Sequence, residues 1–307
     1  MNWDFLIKNK DSLCVSTDTR NLPAGCVFFG LHGANFDGNK FAKQALEQGA
    51  SLAVIDNPEY ALPEGTLLVE NTLLALQDLA RAWRRELGLP IIGITGTNGK
   101  TTTKELLATV LSTKYNLHYT QGNLNNQIGV PLTLLQITRA HEMTIVEMGA
   151  SHPGDIKELV DIAEPNCGLI TNVGRAHLEG FGSFEGVQKT KKELYDYLRE
   201  HQGFIFRNTD NSYLAQMAGD LQTIPYTTGT MPSGTNLVGE YNAENVSAAI
   251  CVGEYFGVSR EQALEAIRQY VPTNNRSQSM QTANTSAGRK TGGSGDPHAV
   301  LHYGIHV

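Results

Sequence analysis

The sequence lacks a long apolar segment and an excess of basic charge. No run approaches the ~20 apolar residues of a membrane span, and the first residues, MNWDFLIKNK, lack the basic and apolar regions of a signal peptide. The 24 basic and 31 acidic residues give a net charge of -7, whereas nucleic-acid and anionic-membrane binders need broad basic surfaces. We therefore expect a cytoplasmic protein that neither inserts into membranes nor binds nucleic acid.

Cysteine is also scarce, and its four positions are scattered: Cys14, Cys26, Cys167 and Cys251. No CxxC pair is present, and no Cys/His spacing is typical of a metal site. We expect these residues to be unpaired, buried, small apolar side chains in a reducing compartment.

The chain does contain short apolar runs that alternate with helical patterns. Residues 1–86 mix the runs CVFFGL, SLAVI and TLLVE with turn sequences, which predicts a small α/β domain. Between residues 71 and 87, leucines and Trp83 recur at helical spacing. Gly88 and Pro90 then end the pattern, and we expect this helix to lead into a second domain, residues 87–273.

The second domain shows a regular alternation of strand and helix signals. Strands are expected at residues 91–95, 144–146, 168–172 and 204–206, and helices at 100–114, 154–163, 184–200 and 243–256. This alternation predicts right-handed crossovers and a mainly parallel sheet, so the fold class is α/β.

The composition changes near the end of the sequence. From residue 274 onward, Asn, Ser, Thr and Gly predominate, which predicts a flexible tail over 274–307. His298, His302 and His306 would share one face of a helix, but Gly304 disfavours that helix. A disordered tail is therefore favoured over a metal site.

The strongest functional signal is GITGTNGKTTT, residues 93–103, which follows a predicted strand and begins a helix. Gly96 and Gly99 allow the backbone to turn sharply and to approach an anion. Successive amides at the start of a helix then attract phosphate. The spacing departs from G-x-x-x-x-G-K-[ST], because Ile94 lies where the first glycine belongs.

This loop predicts an ATP site with magnesium. The residues expected to bind ATP are Gly96, Thr97, Asn98, Gly99, Lys100, Thr101 and Thr102. Lys100 would pair with the β- and γ-phosphates, and the Thr101 hydroxyl would bind Mg²⁺.

Two further residues follow predicted strands of the same sheet. Glu147 ends the strand TIVEM, and His177 follows the strand GLITNV. By themselves, Glu147 is typical of a surface residue and His177 of a turn residue. Beside a phosphate loop, both become candidate magnesium ligands.

The remaining polar clusters leave alternatives open. Lys189, Lys191 and Lys192 begin an amphipathic helix, and a solvated basic face is the simpler interpretation. Asn242 begins another helix, either as its N-cap or as a contact to a nucleotide base. The loop GNLNNQIGVP suits either ligand contacts or turns.

Taken in order, these motifs resemble the Mur ligase family of bacterial cell-wall synthesis. The series is GITGTNGKTTT, GNxNNxIGVPLTLL, VEMGA, NVGxAHLExFGS, KxKKEL, NxDN and YNAEN, and the earlier STDTR and GCVFFGLHGANFDGN agree with it. The residues of these motifs are most similar to those of family members that join D-alanyl-D-alanine (D-Ala-D-Ala) to UDP-N-acetylmuramoyl-tripeptide (UDP-MurNAc-tripeptide).

The resemblance implies a domain organisation and a reaction. Residues 1–86 would form a UDP-sugar-binding domain, and residues 87–273 a central ATP-binding domain that is shortened near 211–239. The C-terminal Rossmann-like domain of the family is expected to be absent. The implied reaction is ATP- and Mg²⁺-dependent amide formation through an acyl phosphate, by a monomer, in peptidoglycan synthesis.

The resemblance also implies roles for individual residues. The catalytic set is Lys100, Lys191 and His177. Beside the phosphate loop, ATP would be bound by Asn242, Asn245 and Asp210. UDP-MurNAc-peptide would be bound by Thr17, Asp18, Thr19, Arg20, His32, Gly33, Asn125 and Asn126. The magnesium ligands would be Thr101, Glu147, His177 and a carbamylated Lys191.

Three alternatives to this function remain. One is another amide ligase of the superfamily, either a Mur-type enzyme that adds a different amino acid or a folylpolyglutamate synthetase. Another is a catalytically incomplete module that binds ATP and the UDP substrate. A P-loop GTPase is disfavoured, because the sequence has no NKxD-type guanine motif.

Overall fold

The computed structural model describes residues 1–175 and 178–272. The predicted tail with its histidines, and His177, lie outside the described residues. No helix in the described part of the chain is long and apolar enough to cross a membrane.

The N-terminal part is a small α/β domain, as predicted. Its strands are β1 (Val15–Ser16), β2 (Val27–Phe29), β3 (His32–Gly33), β4 (Phe36–Asp37), β5 (Leu52–Ile55) and β6 (Thr66–Leu68). Its helices are α1 (Asp4–Ile7), α2 (Ala42–Glu47) and α3 (Thr72–Leu87), with 3₁₀ turns at Gly38–Phe41 and Pro58–Tyr60. The four strands β1-β2-β5-β6 form a parallel sheet in that order, and β3 and β4 form an antiparallel hairpin.

The parallel pairing of β1 with β2 corrects the expectation about the cysteines. Val15 lies opposite Val27 in this pairing, so the preceding residues Cys14 and Cys26 are also neighbours. They form a disulfide bond with Cα atoms 4.5 Å apart. The prediction of unpaired cysteines is wrong for this pair, because sequence spacing does not reveal strand register. Cys167 and Cys251 are free.

The second part is a parallel sheet covered by helices on both faces. Its strands are β7 (Ile91–Thr95), β8 (Leu117–Tyr119), β9 (Met143–Glu147), β10 (Cys167–Ile170), β11 (Phe204–Asn208) and β12 (Thr223–Tyr226). Its helices are α4 (Lys100–Leu111), α5 (Gly129–Leu135), α6 (Asp155–Ala163), α7 (Leu178–Phe181), α8 (Phe184–Glu200), α9 (Ser212–Ala218), α10 (Asn242–Tyr255) and α11 (Arg260–Gln269). Every pairing in the order β12-β11-β10-β7-β9-β8 is parallel, which confirms the predicted α/β class.

Alternate residues of the central strands point to two separate cores. Ile91 belongs to a core that includes α3, α5, α6 and α8. Ile92 belongs to the opposite core, which includes α4, α10 and α11. Because both faces are covered, the central strands β7, β9 and β10 consist mostly of apolar residues. The segment that the family resemblance marked as shortened, residues 211–239, contributes α9 and the edge strand β12.

The strand order determines where a site can form. After β7 the chain builds β8 and β9 on one side, and then β10 to β12 on the other. The carboxyl ends of β9, β7 and β10 therefore lie side by side at the point where the order reverses. In open α/β sheets, ligands bind at this position.

Helix α3 joins the two parts of the chain. It begins at the N-cap Asn71, whose side chain accepts from Leu74 N, and ends at Gly88 with φ of 65°. Trp83 is fully buried and donates from Nε1 to Ile137 O at 2.9 Å. Arg84 donates to Glu164 O at 2.9 Å. The helix therefore fixes the small domain to the large one through buried contacts.

We predict that Trp83→Ala lowers the free energy of unfolding by about 3–5 kcal/mol, because the change opens a cavity and leaves the Ile137 carbonyl without its donor. Urea unfolding measures the effect. Leu74→Ala is the matched control, since Leu74 lies on the same helix and is 62% exposed, and it should change stability by less than about 0.5 kcal/mol. Similar small losses in both variants would contradict the role given to α3.

Candidate active site

The two glycines of the phosphate loop are required by close contacts. The loop runs from the end of β7 to the start of α4. A Cβ atom at Gly96, where φ is 146°, would lie 2.0 Å from Thr171 Oγ1. A Cβ atom at Gly99, where φ is 78°, would lie 2.6 Å from Asn245 Oδ1. Both positions therefore exclude any side chain.

The end of β10 holds the loop in place. Thr97 N donates to Asn172 O at 3.0 Å, and Asn98 N donates to Asn172 Oδ1 at 3.0 Å. Thr171 Oγ1 donates to Asn98 O at 2.6 Å. The amides of Thr97 and Asn98 are therefore engaged within the protein. Phosphate contact by the amides at the mouth of α4 stays a prediction.

Lys100 and Thr101 lie at this helix mouth. Lys100 Nζ donates to Gly96 O at 2.9 Å and to Thr97 O at 3.2 Å, so its ammonium group lies across the loop. Thr101 Oγ1 donates to Glu147 Oε1 at 3.3 Å. The lysine cation and the hydroxyl predicted for phosphate and magnesium thus occupy one helix start.

Glu147 is buried at the end of β9, and its two carboxylate oxygens have different surroundings. Only 1% of the residue is exposed, so the surface interpretation is wrong. Oε1 accepts from Asn125 Nδ2 at 2.9 Å as well as from Thr101. Oε2 has no hydrogen-bond partner among the described residues and lies 3.5 Å from Lys104 Nζ.

Lys191 is a buried lysine of α8 that faces the same region. Only 2% of it is exposed, and its Nζ lies 5.6 Å from the centre of the Phe181 ring. Burial lowers the pKa of Lys191 to about 8, the charge of Lys100 acts in the same direction, and Asp155 and Glu193 oppose the shift. The solvated-face interpretation is therefore wrong for Lys191.

The neighbouring lysines do fit that interpretation. Lys189 is exposed, and Lys192 pairs with Asp196. The three lysines do not begin the helix, because α8 starts at Phe184 after the N-cap Ser183. They begin more than one turn inside the helix, which places Lys191 on its buried face.

Glu193, one residue beyond Lys192, joins α8 to the start of α6. Its carboxylate accepts from Gly154 N at 3.0 Å and from Lys157 N at 2.8 Å. Burial raises the pKa of Glu193, which these hydrogen bonds partly offset. An acidic group at a helix N-terminus is electrostatically favourable, so α8 and α6 are held together beside Lys191.

Asn242 and Asn245 of α10 lie beside the phosphate loop and the helix that follows it. Asn245 Oδ1 accepts from Thr103 Oγ1 at 3.0 Å, and its Nδ2 donates to Asn242 Oδ1 at 3.0 Å. Asn242 Nδ2 donates to Val238 O at 2.8 Å, and the N-cap position belongs to Tyr241. The N-cap interpretation of Asn242 is therefore wrong, and its contact with adenine stays a prediction.

Asp210 lies apart, in the turn after β11. It is exposed, and its Oδ2 accepts from Thr228 N at 2.8 Å. Burial raises the pKa of Glu244, and the charge of Asp210 acts in the same direction. The contact of Asp210 with ATP also stays a prediction.

The residues predicted to bind the UDP substrate lie in two places. In the N-terminal domain, Thr17, Asp18, Thr19 and Arg20 form the turn after β1, while His32 and Gly33 form β3. Asn125 and Asn126 lie instead before α5, beside the phosphate loop. Asn125 holds Glu147, and Asn126 Oδ1 accepts from Gly129 N at 2.9 Å, so both have structural partners.

The N-terminal residues are held by two carboxylates. Asp18 pairs with Arg20 at 2.6 Å. Asp56 Oδ2 lies 3.2 Å from His32 Nδ1 and accepts from Thr72 N at 2.8 Å, and Asp56 Oδ1 accepts from Asn39 Nδ2 at 2.9 Å. Burial would raise the pKa of Asp56, but these hydrogen bonds outweigh it and lower the pKa.

Only some of the predicted magnesium ligands lie among the residues that the structure describes. Thr101 and Glu147 are in contact, Lys191 faces the same region, and His177 lies outside the described residues. Within residues 1–175 and 178–272, no group of three or more His, Cys, Asp and Glu side chains could hold a metal ion.

Three residues that support the candidate sites are not predicted from the sequence. Lys104 is buried against Glu147, Asn172 fastens the loop, and Asp56 orients His32. Helical spacing was a usable signal for Lys104, because it lies four residues after Lys100 and thus on the same helix face. For Asn172 and Asp56 the sequence carries no comparable signal, because their partners are distant in the chain.

Comparison with known families gives two matches. Residues 14–84 match the domain described as Mur ligase family, catalytic domain, and residues 94–232 match the Mur ligase middle domain.

Two similar proteins share the same name. The UDP-N-acetylmuramoyl-tripeptide--D-alanyl-D-alanine ligase of Bacillus subtilis is 38% identical over 279 residues, which cover 82% of this chain and 61% of that protein. The protein of the same name in Synechocystis is 41% identical over 280 residues, which cover 84% of this chain and 61% of that protein. The chain thus spans about three fifths of the length of these curated relatives.

Solved structures agree in fold. A crystal structure of MurF from Acinetobacter baumannii has a TM-score of 0.76 and 30% sequence identity, covering 85% of this chain and 64% of that chain. The MurF ligase of Thermotoga maritima in complex with ADP has a TM-score of 0.76 and 26% identity, covering 88% of this chain and 68% of that chain. Since both matched domains come from one family and together span more than half of the sequence, this chain belongs to the Mur ligase family.

Proposed function

We propose that this chain carries the ATP site and the UDP-substrate domain of a ligase that joins D-Ala-D-Ala to UDP-MurNAc-tripeptide. The main observation is that a glycine-constrained phosphate loop, a buried strand-end carboxylate and a buried lysine converge at one sheet edge. Relatives that are 38% and 41% identical carry this activity in their names. The ADP complex of the Thermotoga protein supports nucleotide binding by this chain.

Phosphate binding follows from the helix mouth. The amide N–H groups at the start of α4 lie at the positive end of the helix dipole, where anions bind favourably. Lys100 Nζ now contacts two neutral carbonyls, Gly96 O and Thr97 O. Phosphate oxygens are stronger acceptors for an ammonium group, so the lysine can turn from these carbonyls to the β- and γ-phosphates.

The residues around Glu147 fit a magnesium ion. Mg²⁺ prefers oxygen ligands, commonly one or two carboxylates with substrate phosphates. Thr101 supplies a hydroxyl and Glu147 a carboxylate at 3.3 Å from it, and a buried carboxylate oxygen lacks a hydrogen bond in the described part of the chain. When bound, the ion would neutralise phosphate charge.

We further propose that Lys191 is carbamylated. Its burial favours the neutral amine, which can attack the carbon of CO₂ through its lone pair. A new N–C bond forms, one C=O π bond opens to give the carbamate oxygen anion, and the nitrogen releases a proton to water. The product places an anion beside Lys100 and supplies oxygen ligands for a cation.

The proposed reaction has two displacements. A carboxylate oxygen of the UDP-linked peptide attacks the γ-phosphorus, and the bond to the β–γ bridging oxygen breaks as ADP leaves. The amine of D-Ala-D-Ala then attacks the acyl carbon, the bond to phosphate breaks, and the nitrogen loses a proton. Lys100 and the α4 amides would stabilise the phosphoryl charge in the first step.

The N-terminal domain would hold the UDP portion of the substrate. The turn with Thr17, Asp18, Thr19 and Arg20 and the hairpin with His32 and Gly33 carry the proposed contacts. Arg20 supplies a cation for pyrophosphate, and Asp56 holds His32 in one orientation. Because α3 fixes this domain to the central sheet, the UDP site and the phosphate loop keep a defined relation.

A second candidate is a binding module that cannot turn over alone, because the chain spans only 61% of the Bacillus relative. Two measurements test these candidates: the first tests ligand binding, which both require, and the second separates them. Calorimetric titration with Mg·ATP and with UDP-MurNAc-tripeptide should show binding under both. Release of phosphate that depends on both UDP-MurNAc-tripeptide and D-Ala-D-Ala should appear only for the ligase, and absence of binding to either ligand would exclude both candidates.

We predict that Lys100→Ala weakens Mg·ATP binding by about 10- to 100-fold, because it removes a charge-assisted contact to phosphate. The unfolding midpoint should stay close to that of the unaltered protein, since the side chain is not part of a core. Isothermal calorimetry measures the affinity, and Lys43→Ala, at a lysine that is 73% exposed in the N-terminal domain, is the control. Unchanged affinity in Lys100→Ala would remove the basis of the phosphate assignment.

We predict a carbamate signal from Lys191 in ¹³C NMR after addition of ¹³C-bicarbonate. The signal should fall as the pH drops below about 8, because the amine with its lowered pKa becomes protonated there and loses its lone pair. Lys191→Ala should lack the signal, whereas Lys189→Ala, an exposed lysine on the same helix, should keep it. Equal spectra for both variants would contradict the carbamylation of Lys191.

A further inference from the structure

Lys104 is a fully buried lysine in α4 that the proposed reaction does not use. Its side chain has 0% exposure, and its Nζ has no hydrogen-bond partner among the described residues. The ammonium lies 3.5 Å from Glu147 Oε2, 3.3 Å from Glu105 Oε1 and 5.9 Å from the centre of the Tyr119 ring. Lysines are almost never fully buried unless they are paired, so this position calls for an electrostatic explanation.

The two carboxylate partners of Lys104 differ in their surroundings. Glu105 retains 22% side-chain exposure, whereas Glu147 retains 2%. Water can therefore solvate Glu105, but Glu147 depends on protein groups. Its Oε1 is directed to Thr101 and Asn125, and its Oε2 is directed to the ammonium.

We propose that Lys104 is an internal counter-ion of Glu147 that stabilises the carboxylate while magnesium is absent and competes with the ion when it binds. This inference rests on the assignment of Glu147 as a magnesium ligand in the proposed function. Lys104 is a positioning residue, because it would act through Glu147 and not through the substrate. By competing for the carboxylate, the Lys104 ammonium would weaken Mg²⁺ binding and so allow the ion to dissociate.

The competition follows from a thermodynamic cycle. Removal of one partner of a buried ion pair leaves an uncompensated charge and is strongly destabilising. In Lys104→Met this penalty applies fully to the metal-free protein, but a bound dication would offset it. The loss of Lys104 should cost more stability without Mg²⁺ than with it. Because coupling between two sites is reciprocal, this difference in stability should appear as an equal gain in the Mg²⁺ affinity of the variant.

The experiment compares Lys104→Met with Lys104→Arg and with the exposed Lys43→Met. Each protein is titrated with MgCl₂ in the presence of saturating ADP at the same fixed pH. Lys104→Met should bind Mg²⁺ about tenfold more tightly or better, and its unfolding midpoint in EDTA should fall by roughly 4–8 °C. Lys104→Arg should bind Mg²⁺ with an affinity closer to that of the unaltered protein, and Lys43→Met should match that protein in both measurements.

A second cycle covers the case in which Lys104→Met folds poorly. Lys104→Met combined with Glu147→Gln removes both charges, so in EDTA the double variant should be more stable than Lys104→Met alone. Unchanged or weaker Mg²⁺ binding in Lys104→Met, or additive stability losses in the double variant, would overturn the counter-ion role. Glu147→Gln alone tests the ligand assignment, since full Mg²⁺ affinity in that variant would contradict the proposed function instead.

Discussion

The fastening of the phosphate loop to the end of β10 is the constraint on which the site depends. Asn172 engages the amides of Thr97 and Asn98, and Thr171 donates to the Asn98 carbonyl. Gly96 approaches Thr171 so closely that no side chain fits there. These contacts exist only in the observed parallel pairing of β7 with β10. A shift of one residue in that pairing would break these contacts and with them the geometry of the loop.

The same sheet edge concentrates charges that a protein interior disfavours. Lys104 and Glu147 are buried charged side chains, and Lys191 is a buried amine whose pKa is lowered by burial. Burial of a charge is costly unless it is paired. In a site for a triphosphate and a divalent ion, such charges have partners when the ligands bind. Under the proposed function, the folded protein would hold in advance the electrostatic groups for phosphoryl transfer, and they would need little reorganisation when charge develops.

The small domain is coupled to this edge by packing. Trp83 and Arg84 of α3 insert among residues of the central domain, and Asp56 ties the start of the same helix to His32. A continuous buried core extends from the N-terminal sheet to α5, α6 and α8. The proposed UDP contacts and the phosphate loop are consequently parts of one framework, which suits a substrate long enough to span both domains.

The sequence by itself predicted the α/β class, a helix over 71–87 that is observed over Thr72–Leu87, the strand Ile91–Thr95 and the glycine-rich loop that leads into a helix. Periodicity, turn residues and glycine positions are local signals. It did not reveal the burial of Lys191 and Lys104, the disulfide between Cys14 and Cys26, or the role of Asn172. Each of these depends on which strands and helices become neighbours, and that follows from the packing of the whole chain. Residue types and their order therefore predicted the family and the candidate site, while only the tertiary structure decided which charged side chains are buried away from water.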